Sequence, residues 1–172
     1  EDAARRAADG RADLIVVAGF GGGPRVAGFD GKTVGGTPRR VFGDFFAFEQ
    51  ALRNGIFVAA GDVDGDGFAD LIAGGGPGGG PRVTVFGGKA LLNNEYDVRA
   101  NFFAGDTASR GGIRVAAKDL DGDASADLVV GAGTGAGSRV TAYYGKDLAA
   151  GANPEAFAFD AFEGFAGGVF VG

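Results

Sequence analysis

Residues 62–70 read Asp62-Val63-Asp64-Gly65-Asp66-Gly67-Phe68-Ala69-Asp70. Four carboxylates fall at loop positions 1, 3, 5 and 9, and a glycine stands at position 6, where a sharp turn is needed. Closely spaced Asp side chains on a tight loop supply the six to eight oxygen ligands, at roughly 2.3–2.6 Å, that a hard cation such as calcium takes. The backbone carbonyl of Phe68, at position 7, adds another. Without a cation the four carboxylates repel one another, which a merely solvated turn does not explain. The pattern returns as Asp119-Leu120-Asp121-Gly122-Asp123-Ala124-Ser125-Ala126-Asp127, with Ala124 in place of the turn glycine and Ser125 at position 7.

The residues C-terminal to each loop separate it from an EF-hand. An EF-hand needs a bidentate acid at position 12 and an entering helix, whereas position 12 here is Ala73 in one copy and Val130 in the other. Leu71-Ile72-Ala73-Gly74 and Leu128-Val129-Val130-Gly131 are short apolar runs closed by glycine, the signature of strands. Each loop therefore leads into a strand, with Asp70 or Asp127 as its last side-chain ligand.

The combination of Asp loop, apolar strand, glycine-rich turn and Arg-Val-Thr resembles the FG-GAP (VCBS-like) repeat, and the resemblance runs over essentially the whole chain. It implies β-propeller blades with calcium in the loop between the innermost strand and the next. Its implied ligands are Asp62, Asp64, Asp66, Phe68 and Asp70 in one loop, and Asp119, Asp121, Asp123, Ser125 and Asp127 in the other. The family includes integrin head blades and bacterial surface proteins, so the resemblance also implies an extracellular or cell-surface setting.

Spacing carries the same message independently. Asp13-Leu14, Asp70-Leu71 and Asp127-Leu128 stand 57 residues apart, as do Arg25, Arg82 and Arg139, then Lys32, Lys89 and Lys146, then Phe45, Phe102 and Phe159. Gly55-Ile56 matches Gly112-Ile113, and Gly168-Val169 arrives one residue early. A fixed long period marks a repeat architecture. Each unit reads as four short strands, in the second copy roughly 55–60, 70–73, 82–86 and 99–103, with Gly, Pro, Asn and Asp between them. The expected fold is all-β: a propeller of three four-stranded blades at about 1–54, 55–111 and 112–166. Residues 167–172 are then the innermost strand of a next or partner blade.

In the first copy only Asp9, Gly10 and Asp13 keep the pattern, and Arg5 and Ala7 replace the first two acids, so no cation is assigned there. That blade also lacks a strand equivalent to 55–60. Three blades are fewer than the four to eight of a propeller ring. Two arrangements are expected. Either residues 167–172 complete the first blade of a second copy, closing a six-bladed homodimeric ring, or the chain is part of a longer propeller.

Composition narrows the function. The chain of 172 residues has no Cys and no His, which removes the common nucleophilic triads and the usual general base. Net charge is −6, but the two loops hold eight of the 22 acids, so the remainder is nearly balanced and no basic run marks a nucleic-acid face. No apolar run is long enough to span a bilayer as a helix. The glycine-rich segments lead into strands rather than helices, which argues against a phosphate cradle. The expected function is a non-catalytic, calcium-stabilised structural or interaction module. The alternatives are a carbohydrate-binding propeller lectin and a building block of larger surface assemblies. A protein or glycan ligand is compatible with the outward aromatics, but no residue identifies it.

Overall fold

Alternating apolar residues and glycine-rich turns fold this chain into antiparallel meanders. The computed structural model describes residues 11–172, in which eleven strands and two single-turn helices succeed one another. The first sheet comprises β1 (Leu14–Val17), β2 (Arg25–Phe29) and β3 (Arg40–Phe46). The second comprises β4 (Ile56–Gly61), β5 (Asp70–Gly75), β6 (Arg82–Phe86) and β7 (Val98–Phe103), with helix α1 (Gly88–Leu92) between β6 and β7. The third comprises β8 (Ile113–Lys118), β9 (Asp127–Ala132), β10 (Arg139–Tyr143) and β11 (Phe157–Asp160), with helix α2 (Gly145–Ala149) before β11.

Every pairing is antiparallel between consecutive strands, so each sheet is a propeller blade of local contacts. The strands of the second blade fall within a residue or two of their expected bounds. The 57-residue period is also a register: Leu14 stands opposite Phe29, Leu71 opposite Phe86 and Leu128 opposite Tyr143.

Two apolar clusters hold neighbouring blades together. One joins Val26, Phe42 and Phe45 of the first blade to Ile56, Leu71 and Phe86 of the second. The other joins Ile72, Val83 and Val85 of the second to Ile113, Leu128 and Tyr143 of the third. Close approach between blades requires glycine. A Cβ built at Gly74 would lie 2.7 Å from the carbonyl oxygen of Ile113, and one at Gly112, where φ is +70°, would lie 2.6 Å from Gly75 O. The glycine-rich segments therefore serve turns and blade packing.

The structure departs from the sequence expectations in one place. Helices α1 and α2 replace what reads as turn; each is one turn long, too short to leave a periodic signal. Residues 167–172 do not form a strand. They lie along the third blade, with a single parallel bridge between Gly137 and Gly167 and a bond from Val169 N–H to Ala132 O at 2.9 Å. The edge with which they would pair has no strand beside it among the described residues.

Candidate metal centres

The loops at 62–70 and 119–127 connect the innermost strand of a blade to the next: β4 to β5 and β8 to β9. Each opens with an acid whose two oxygens gather the backbone of the turn. Asp62 Oδ1 accepts the N–H of Asp66 at 3.1 Å and its Oδ2 accepts that of Gly67 at 2.8 Å. Asp119 accepts the N–H groups of Gly122 at 2.7 Å and Ala124 at 3.1 Å. The turn needs left-handed backbone: φ is +72° at Gly65, +86° at Gly67 and +80° at Gly122. Ala124 adopts the same region, at +71°, so the loop keeps its geometry without the glycine at that position.

The acid that closes each loop is buried and clamped. Asp70 Oδ2 accepts the N–H of Val63 at 2.9 Å, and its Oδ1 accepts the N–H of Gly88, at the start of α1, at 2.8 Å. Asp127 repeats both bonds, from Leu120 at 2.8 Å and Gly145 at 2.9 Å. Burial raises the Asp70 carboxyl above its ordinary value. The N–H groups of Gly88 and Val63 oppose that shift, and the neighbouring charges of Asp64 and Asp66 add to it. Such a site gains from a nearby positive ion, which lets the buried carboxylate stay ionised.

Carboxylate oxygens of Asp62, Asp64 and Asp70 lie within 4.8 Å of one another, and those of Asp119, Asp121 and Asp127 do the same. Oxygens at that separation can share one cation at the usual metal–oxygen distances of about 2.3–2.6 Å. Asp66 and Asp123 stand outside these triplets. Each instead accepts the N–H two residues on, from Phe68 at 2.9 Å and from Ser125 at 2.8 Å. Ser125 faces the other loop, with its hydroxyl 3.4 Å from where a Cβ on Gly65 would sit. The loops touch directly, since Ala126 N–H bonds to Asp62 O at 2.6 Å.

A basic side chain reaches the position-3 acid of each loop, which the sequence reading missed. Arg99 Nη2 lies 3.1 Å from Asp64 Oδ2, and Lys146 Nζ lies 2.6 Å from Asp121 Oδ2. The pair with Lys146 holds Asp121 below the usual carboxylate range and raises Lys146. The register of Lys32, Lys89 and Lys146 was the signal that could have found the second contact, whereas Arg99 has no counterpart in register and gave none. In the first blade Asp13 Oδ1 keeps the clamp to Gly31 N–H at 3.0 Å. Arg5, Ala7 and Asp9 lie outside the described residues.

Each of the repeated arginines makes an ion pair. Arg25 pairs with Asp44 and Arg139 with Asp160, both on the outer strand of the same blade. Arg82 bonds Asn101 on its own outer strand and crosses to Glu49 of the preceding blade at 2.7 Å. Of the paired aromatics, Phe45 is core and Phe46 exposed, while Phe102 packs inward and Phe103 outward. No helix among the described residues is long and apolar enough to cross a membrane.

The FG-GAP repeat family model matches residues 54–90, which span β4, the first Asp loop, β5, β6 and the start of α1. No curated protein sequence and no solved structure matches the chain.

Proposed function

We propose, from the FG-GAP repeat that residues 54–90 constitute, that this chain is a calcium-stabilised β-propeller module that works outside the cell by interaction rather than catalysis. The carrying observation is the convergence of three carboxylates, twice, at the same point of successive blades. The donors are all hard oxygens, as calcium requires, and no His or Cys is present to favour a softer metal. Asp62, Asp64 and Asp70 would hold one ion, and Asp119, Asp121 and Asp127 the other. Asp66 and Asp123, with the carbonyls of Phe68 and Ser125, would complete the two sets.

The ions' work is structural. A bound ion would offset carboxylate repulsion while fixing the turn that delivers Asp70 or Asp127 to its clamp. Binding to the folded state then adds to stability by mass action. The millimolar calcium of extracellular fluid fills even weak sites, which supports that setting. The three blades form an open arc among the described residues.

Calorimetric titration with calcium tests the reading. The expected result is two ions per chain, with the Asp62→Asn and Asp119→Asn variants each losing one. Absence of calcium-dependent heat in the folded chain would overturn it.

A further inference from the structure

We propose that the open edge of the third blade takes the first blade of a second copy of this chain, in the register that the two internal blade contacts already show. The inference rests on the propeller reading and adds the partner and its contact residues.

The two internal contacts are copies of one another. Gly21 N–H bonds to Arg53 O at 2.8 Å and Gly78 N–H to Arg110 O at 2.7 Å. The ring of Phe45 meets Phe86 at 5.1 Å, and that of Phe102 meets Tyr143 at 5.0 Å. Gly55, at φ +68°, backs onto Gly19 and Phe20, and Gly112 backs onto Gly75 and Gly76.

The third blade shows half of the same contact. Gly135 N–H bonds to Ala166 O at 2.8 Å, and Gly168, at φ +77°, backs onto Ala132, Gly133 and Thr134. Val169 is buried, as Ile56 and Ile113 are. Residues 168–171 thus sit where the innermost strand of a fourth blade belongs. The other half has no counterpart among the described residues. Phe159, next in series after Phe45 and Phe102, is 51% exposed, and Leu120 is 43% exposed where its counterpart Val63 is 1%.

The first blade offers the complement. Leu71 and Leu128 are 1% and 0% exposed because a preceding blade covers them, but Leu14 at the same register is 45% exposed. The position that would meet Phe159 is Phe29, the equivalent of Phe86 and Tyr143. Among the described residues, strand β1 has only β2 hydrogen-bonded to it. In the second blade Ile56 stands opposite Gly75, Phe57 opposite Gly74 and Val58 opposite Ala73. Carried over, Val169, Phe170 and Val171 of one copy stand opposite Ala18, Val17 and Val16 of the other. The contact is reciprocal, so two copies make it twice and close six blades about a two-fold axis.

Because the chain has no cysteine, two double variants report the register: V16C with V171C, and V17C with F170C. Antiparallel pairs alternate between hydrogen-bonded and closer non-hydrogen-bonded positions, so one of the two brings its thiols within disulfide reach. In calcium the native mass is expected to be twice 17.1 kDa, and one double variant is expected to oxidise to a covalent dimer. Phe159→Asp, remote from both Asp loops, is expected to weaken the dimer about 10- to 100-fold, as loss of a buried aromatic anchor does, without changing calcium stoichiometry. A single-chain mass at every concentration, with calcium still bound, would overturn the contact and leave the propeller reading standing. Loss of calcium binding with the dimer intact would do the reverse.

Discussion

The carboxylate of Asp70 accepts the backbone N–H of Gly88 at 2.8 Å, eighteen residues further along the chain. The same bond joins Asp127 to Gly145 at 2.9 Å and Asp13 to Gly31 at 3.0 Å. The last acid of each loop is therefore a fold clamp as well as a candidate ligand, while the first acids organise only the loop. Asp70→Ala strands two N–H donors, both in buried contacts, and is expected to cost about 2–4 kcal/mol even in chelator. Asp62→Asn is expected to cost less than about 1 kcal/mol in chelator and much more in calcium. Urea unfolding in the two conditions separates them.

Ala124 holds a left-handed turn at φ +71° that glycine holds at position 67. The left-handed region costs an L-residue about 1–2 kcal/mol and glycine almost nothing. Ala124→Gly is expected to raise stability by about 1 kcal/mol, and Gly67→Ala to lower it by a similar amount, as read from thermal midpoints.

Lys146 and Arg99 occupy the acids a cation would share. Exposed pairs of this kind contribute about 0.2–1 kcal/mol, so the competition is modest. Lys146→Gln is expected to tighten calcium at the 119–127 loop by up to about fivefold while slightly destabilising the calcium-free chain. Competition against a fluorescent chelator measures both loops.

Burial, helped by the nearby charge of Glu155, pushes the Tyr143 phenol up from its ordinary value of 10 to about 12. The fold favours the neutral phenol, so this contribution is complete below pH 10 and is lost as pH rises through about 12. Thermal midpoints between pH 9 and 12 are expected to fall more steeply for the native chain than for Tyr143→Phe.

The strands and blades were legible because period 57 and period 2 coincide: Leu14, Leu71 and Leu128 fall at one register of three sheets. The Asp loops were legible because carboxylates at positions 1, 3, 5 and 9 have little other reason to cluster. The division of labour within them was not. Spacing cannot tell that Asp66 turns onto Phe68 N–H while Asp70 reaches a helix eighteen residues away. Nor did sequence show Arg114, buried with its ring-facing guanidinium 5.0 Å from the Phe57 centroid and 4.9 Å from that of Phe170. That sandwich takes one residue from each of three successive repeats, and burial alone lowers the arginine's pKa. Residues 167–172 carry the sequence of a strand, but a strand exists only where an edge pairs with it.

The most direct test of the central claim is thermal unfolding of the native chain and of the Asp62→Asn/Asp119→Asn double variant, each in millimolar calcium and in chelator. Metal-held blades predict a midpoint that rises by several degrees or more in calcium for the native chain and stays unchanged for the double variant. Equal midpoints for the native chain in both conditions would contradict the account.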